Sequence, residues 1–594
     1  MLCNADEYWA FAENTKKIQK MFKILLLKTY KNGIIHVSKI KQGCNASCKT
    51  NKEGLRFMKK TVKKLTAVGL TLTSVMGLVA CGGNKDGGDK NVSKEVKKPE
   101  VITIMVDNTV VNENNGAKEF EAYLEGLLEK YGDAGKIDLQ FTRPDHSGYY
   151  DAVARAFNGK ESDIPNVVLL SSDYYALYAS NGMLWDMTDA WNNSETKKSG
   201  RLIDAADKVL SGLLVNGEDG TKSMYGFSPY RGNGCCTYLK KSWLDKVGID
   251  VASVEGKTLT FNEYYDILKK MRDTVGHYVI SAPDFISAEA PYTNYLPEFY
   301  QKAQYTFYKS ADGKYVDGFT QQEMKDALQR IQTAVKDNVI DKASLGQKTS
   351  DARDKFYSTD PANESGVFTY WAGTWADTLK TNLESKGLDS ELIAINPIKE
   401  LGTYVERIAP AWCITNSAKN PEGIFKYFID TMLDGGDVQM AWEYGAKGTH
   451  WDDKAETVTL ASDPEGKKTK TYTEGQFHFL PSPEKPNTLM KKNHIDPTLA
   501  LATFGDKEDP GNKAMTDVVM ENAKFFDANS SIAVPVPMNE TFGNNITDIN
   551  KTRNEVIAKV ALGDWTVDDA MKYYTDTVGA KVNEVLESLN EAKK

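Results

Sequence analysis

Between residues 101 and 170 short apolar runs alternate with amphipathic stretches, and this constrains the fold more than any other feature. Residues 101–106 read as a buried strand. Phe120, Tyr123, Leu124, Leu127, Leu128 and Tyr131 then recur at i, i+3, i+4, i+7, i+8 and i+11, the stripe of an amphipathic helix. Residues 137–142 form a second strand, 149–157 a short helix and 166–170 a third apolar strand. Strands separated by helices at this spacing predict an α/β fold on a parallel sheet. Ligands of such sheets bind beyond the carboxyl ends of the strands. Asp145, His146, Ser171, Ser172 and Asp173 all follow strand ends. Each is a candidate ligand contact, and each is equally suited to cap a helix or to sit solvated in a loop.

A second set of elements follows Pro229. Thr260-Phe261-Asn262-Glu263 opens a helix running to about residue 273, because a Thr followed three residues later by Glu is a capping box. Residues 322–336 and 567–592 are helical in pattern. Asn420-Pro421 caps a further helix, with Ile424, Phe425, Phe428, Ile429 and Met432 on one face. There is no internal repeat.

The N-terminal region reads as targeting. Lys59, Lys60, Lys63 and Lys64 precede an apolar run that ends in Leu78-Val79-Ala80-Cys81-Gly82-Gly83. A positive n-region, a short apolar core and small residues make a secretory signal. The Cys directly after the small residues resembles the lipobox of bacterial lipoproteins, which implies lipidation of Cys81. The signal begins at Met58, so residues 1–57 are expected to be an upstream leader. Lys52-Glu53-Gly54 is encodable by a purine-rich run resembling a bacterial ribosome-binding site. Residues 58–80 are then the signal peptide, and residues 81–99, rich in Gly, Lys and Asp, a flexible tether.

Charge and cysteine usage narrow the function classes. Residues 1–80 carry 15 Lys and Arg against 4 Asp and Glu, so the overall −9 becomes −20 from Cys81 onward. That balance disfavours nucleic acid or anionic headgroups as partners. No apolar run after Cys81 is long enough to span a bilayer, leaving the lipid as the expected membrane attachment. Cys235, Cys236 and Cys413 offer no disulfide framework, since adjacent residues bridge only with strained geometry. The six His show no metal-ligand spacing and no phosphate-cradling glycine motif occurs, so neither cofactor nor metal is expected. The shortage of catalytic motifs favours binding over catalysis.

The order of several further segments resembles the extracellular solute-binding proteins of ABC importers, in the sugar-binding group related to maltose-binding protein and its long Gram-positive lipoprotein branch. The likeness rests on Phe157-Asn158-Gly159 through Asp163-Ile164-Pro165-Asn166-Val167-Val168, and on Asn181-Gly182-Met183-Leu184-Trp185-Asp186-Met187-Thr188. It continues through Met224-Tyr225-Gly226-Phe227-Ser228-Pro229-Tyr230, Tyr238 to Ile249, Thr260 to Glu263, Gly373-Thr374-Trp375, and Tyr444-Gly445 to Gly448-Thr449-His450-Trp451. These segments cover most of residues 100–594. Two departures stand out: the usual Asp before the third strand has moved to Asp163, and Cys235-Cys236 replaces an aliphatic pair. The resemblance implies a two-lobed, periplasmic-binding-protein-like α/β fold with discontinuous lobes and a hinge. Lobe 1 would comprise residues 100–230 and 396–447, lobe 2 residues 231–395 and 448–594. Crossings are expected near Pro229-Tyr230, Asn396-Pro397 and Gly445–Gly448. A carbohydrate, held between the lobes, would be delivered to the permease subunits of the importer by a monomeric receptor.

Sugars present C–H faces to aromatic rings and hydroxyls to paired donors and acceptors. Residues of those types near crossings or strand ends are Tyr230, Arg231, Trp371, Trp375, Trp412, Trp442, Tyr444 and Trp451, with Asp145, Asp173, Asp284 and Glu443 as polar partners. Trp375 is carried over from the resemblance; it either lines the cleft or packs in a core. Trp442 follows an amphipathic stretch that suits a core, and Arg231 can hold hydroxyls or pair with an acidic residue. Two other functions stay open at this stage. A secreted glycosidase needs two carboxylates across one bond, and the many acidic residues supply candidate pairs. A peptide- or polyamine-binding receptor on the same scaffold would suit the acidic surface.

Overall fold

The computed structural model describes residues 96–108, 116–131, 135–200, 202, 204–229, 231–286, 293–459, 469–481, 517–536 and 538–591. The leader, the signal, Cys81, most of the tether and Tyr230 lie outside these, as do the side chains of Ser172 and Asp173. Lys94–Lys594 forms one compact unit.

The strands of its two larger sheets and of one further pair are, in chain order, β1 (Val101–Met105), β2 (Asp138–Thr142), β3 (Val167–Leu170), β4 (Cys235–Lys240), β5 (Val367–Trp371), β6 (Leu392–Ala394), β7 (Tyr404–Glu406), β8 (Ala411–Ile414) and β9 (Ser530–Ile532). The first sheet has the order β8-β3-β1-β2. β1 runs parallel to both β2 and β3, as the alternating pattern requires. β3 is buried at every position, which is why it reads as an unbroken apolar run. The stripe of helix Ala117–Glu129 packs on this sheet through Phe120, Leu124 and Leu128, all buried in the first core. Helix Tyr149–Phe157 is pinned by the Tyr149 hydroxyl, 3.0 Å from the Met105 carbonyl and 2.7 Å from that of Leu169. Those carbonyls lie at the carboxyl ends of β1 and β3. The fourth strand, β8, comes from far along the chain and runs antiparallel to β3, with Trp412 opposite Leu169.

The second sheet, β6-β4-β5, is antiparallel throughout. Around it packs a core that draws on helices Phe261–Val275, Gln322–Lys336, Glu540–Ala561 and Val567–Glu591. The first of these starts where its capping box lies. The Thr260 hydroxyl accepts from Glu263 N–H, and the Glu263 carboxylate accepts from Thr260 N–H at 2.8 Å. A third cluster covers the other face of β4 and β5 with Phe356, Leu379 and Leu383. The helix expected from Asn420-Pro421 is shorter than its apolar face. Pro421–Ile424 is one α-helical turn, and the chain then widens to π-helix over Phe425–Ile429 while keeping Ile424, Phe425, Phe428 and Ile429 buried. The last residues of the expected tether are packed rather than free: Pro99 is buried, and Asn420 Nδ2 donates to the Lys97 carbonyl at 2.8 Å.

Two segments pass from one core to the other side by side. Phe227 and Trp412 exchange backbone hydrogen bonds of 3.1 and 2.7 Å, and Arg407 N–H donates to the Asn233 carbonyl at 3.1 Å. The contact is so close that side chains are excluded. A Cβ on Gly232 would stand 1.7 Å from the Arg407 carbonyl oxygen, and one on Gly234 would stand 2.2 Å from that of Val405. β7, which ends at Glu406, pairs in parallel with β9. Among the described residues no helix is long and apolar enough to cross a membrane.

Candidate binding site at the crossing segments

The carboxyl ends of the first sheet place a polar group and an aromatic group next to the crossing. After β1 and β2, Asp107 Oδ2 lies 2.5 Å from His146 Nδ1, and Asn108 Nδ2 donates to Asp145 at 3.1 Å. After β3, the Ser171 hydroxyl sits 2.7 Å from that of Tyr150. The Tyr150 ring stacks on Tyr174 with centroids 3.7 Å apart and planes 5° from parallel. Tyr150 is half-buried and Tyr174 is exposed, so part of the pair faces solvent. Burial raises the Tyr150 hydroxyl above its ordinary pKa, against the lowering effects of Ser171 and of the Arg407 guanidinium.

From the second sheet, the end of β5 contributes Trp371. The Arg407 guanidinium lies 4.9 Å over its ring, while Arg407 Nε donates to the Gly232 carbonyl at 2.8 Å. One turn on, Trp375 stands edge-on to Tyr370, with centroids 4.8 Å apart, and carries Arg353 4.9 Å over its ring. Trp371 and Trp375 are both half-buried. The Tyr150–Tyr174 pair at the end of the first sheet and the Trp371–Arg407 pair at the end of the second flank the crossing. They combine ring faces with fixed donors, the mixture that hydroxyl-rich ligands need.

Several residues expected at the site lie elsewhere. Trp412 and Trp442 are 0% and 1% exposed, locked edge-on to each other at 5.1 Å and to Phe428 at 5.8 and 5.6 Å. A ring closed on all sides has no face for a ligand, so both are core. Tyr444 is buried against Phe477, Glu443 is buried with Gln439 Nε2 2.9 Å from it, and Trp451 is buried with its Nε1 donating to the Gly445 carbonyl at 2.9 Å. Arg231 is also buried: its guanidinium bonds Glu406 at 3.1 Å and pairs with Asp527. Lys208 joins the same carboxylates at 3.3 and 3.5 Å, so Arg231 braces the crossing instead of facing a ligand. Asp284 is half-buried with φ 75°, accepts from Phe285 N–H at 2.8 Å, and acts on Tyr300 and Tyr305 of the second core. Asp145 is exposed at the strand ends, as expected. Tyr230 and the Asp173 side chain lie outside the described residues.

Sequence reasoning missed Tyr150, Tyr174, Arg353 and Arg407. The two tyrosines had a signal, since they lie just past the turns that mark strand ends. The arginines had none, being single cations in helix or loop sequence.

No family model matches the chain, and no curated protein does. Many solved structures share its fold. The N-glycan transport solute binding protein from Streptococcus pneumoniae aligns with TM-score 0.52 at 17% identity, covering 83% of this chain and 99% of that one. An alginate-binding protein, in a structure without calcium ion, aligns with TM-score 0.52 at 16% identity, over 83% and 98%. An HMO-binding, ABC-transporter-associated solute binding protein from Bifidobacterium longum infantis aligns with TM-score 0.50 at 14% identity, over 83% and 98%. The chain has the two-lobed α/β fold of the extracellular solute-binding proteins, as the order of its motifs predicted.

Proposed function

We propose that the chain is the ligand-capturing receptor of an ABC importer and takes a carbohydrate, an oligosaccharide, between its two lobes. The observation that carries this reading is the pair of aromatic groups flanking the crossing, Tyr174 on Tyr150 and Trp371 beneath Arg407. Rings with one accessible face bind the C–H side of a pyranose, and the guanidinium and the Asp107–His146 and Asn108–Asp145 pairs supply hydroxyl partners. The names of the three aligned proteins, with N-glycan transport, alginate binding and HMO binding with an ABC transporter, support it. Lipid on Cys81 would hold the receptor on the outer face of the bacterial membrane, beside the permease subunits. Closure about the crossing segments around residues 231–234 and 404–411 would bury the ligand.

Thermal-shift and calorimetric titration with a broad glycan panel tests the reading, with a parallel assay for reducing-end release. Saturable binding with a raised Tm and no new reducing ends is expected. Release of reducing ends would replace the receptor by a glycosidase, and a panel with no ligand at all would refute carbohydrate capture. Scattering with and without a tight ligand checks closure: an unchanged radius of gyration at saturation would refute the hinge.

A further inference from the structure

The two cations at the site have an unusual electrostatic setting. From Cys81 onward acidic residues exceed basic ones by 20 charges, so carboxylates are plentiful. Arginines elsewhere use them: Arg143 pairs with Glu121, Arg231 with Glu406 and Asp527, and Arg553 with Asp317 at 2.7 Å. Arg330 has no ion pair among the described residues, but Asp326 and Glu400 act on it and its Nε donates to the Phe299 carbonyl at 2.7 Å. Arg407 and Arg353 differ. Both are half-buried, both lie over tryptophans that flank the end of β5, and neither has a carboxylate within ion-pair distance among the described residues. Arg407 spends one N–H on the Gly232 carbonyl and keeps the rest of its fork over Trp371.

A guanidinium held over an aromatic ring is placed in advance, and its remaining N–H edge matches the two oxygens of a carboxylate or sulfate. A cation left half-buried without an internal counter-charge, in a chain rich in carboxylates, is matched by a charge that arrives with the ligand. Building on the carbohydrate reading, we infer that the ligand is an acidic oligosaccharide, with a carboxylate or sulfate seated on Arg407 and a second acidic group facing Arg353. Neutral parts of the same ligand would lie toward the Tyr150–Tyr174 stack. There the Asp107 and Asp145 carboxylates accept hydroxyl protons and would repel a further acid.

The test sets the full chain against a glycan array holding uronate-containing, sialylated and sulfated oligosaccharides beside their neutral counterparts, carboxyl-reduced or desulfated. Hits are followed by titration calorimetry at low and high salt. Acidic forms are expected to bind at least ten-fold more tightly than neutral ones, with the margin shrinking in salt. Comparing the uronate and sulfate arms identifies the acid. Arg407→Gln should reduce affinity for the best acidic glycan at least ten-fold and lower that for the neutral counterpart, which loses only a hydroxyl contact, by a much smaller factor; Arg353→Gln repeats the test if Arg407→Gln lowers the melting point. Equal affinity for acidic and neutral forms overturns this inference and leaves the carbohydrate reading standing. Absence of binding to both classes overturns both.

Discussion

Trp412 and Trp442 sit in the wall of the first core, and Trp371 and Trp375 sit at the end of the second sheet. The first pair is buried among rings and aliphatic side chains, edge-on to each other and to Phe428. The second pair is left half-open and each ring is covered by a guanidinium. A tryptophan's role here follows from what closes over it. Neighbouring apolar strands make it structure, while a cation with unused donors leaves it able to meet a ligand.

Removing the closed ring should have the largest effect. Trp442→Ala is expected to cost about 3–5 kcal/mol in a urea melt, because a cavity replaces a ring packed on Phe120, Phe428 and Trp412. Calorimetry below the melt should show unchanged affinity for any glycan the wild type binds. Lost affinity in a folded variant would return Trp442 to the site.

A buried acid tests how closed the second core is. Glu298 is 1% exposed, accepts from the Thr237 hydroxyl at 2.8 Å, and is pushed by burial up to about 7 from 4.5. The folded form therefore holds its proton more tightly than the unfolded chain. The stabilisation is complete below about 4.5 and is lost as pH rises through 7, on the order of 3 kcal/mol in all. Melts of wild type and Glu298→Gln from pH 4.5 to 8.5 should converge at the acid end, with the wild type falling behind above neutrality. Parallel curves would mean that water reaches this carboxyl.

At the open end the expected changes are in binding. Trp371→Ala should weaken glycan affinity by about 2 kcal/mol, roughly thirty-fold in Kd, with little change in the melt. A lower melt with full affinity would make it core like Trp412. Tyr174→Ala should have the smallest effect, about 1 kcal/mol in affinity, since Tyr150 remains as a ring beneath the ligand. A loss as large as that at Trp371 would move the centre of the site onto the first sheet.

The same contrast explains what could be read from the sequence. Local patterns were legible: the stripe from Phe120, the Thr260–Glu263 capping box and the Gln322–Lys336 helix all depend on neighbours a few residues away. β8 was not, because its partner β3 lies some 240 residues earlier, and four buried residues in a row carry no period. Trp412 consequently looked like a free aromatic near a crossing. The turns that hold the site were marked by Asp145 and Ser171, but the rings on them were passed over. Arg231 and Arg407 are both single arginines near a crossing. Only the fold distinguishes them, by giving Glu406 and Asp527 to the first and Trp371 to the second.

Arg407 is fastened to the Gly232 carbonyl at the line where the two crossing segments touch. For any rotation of the lobes about that line, displacement grows with distance from it. Groups on the outer walls would travel furthest, and a contact to Arg407 would barely move. Unloading would then be a sequence in which a ligand is stripped from the walls first and let go by the pivot last. The chemical group resting on Arg407 would set how long a half-open receptor keeps its cargo.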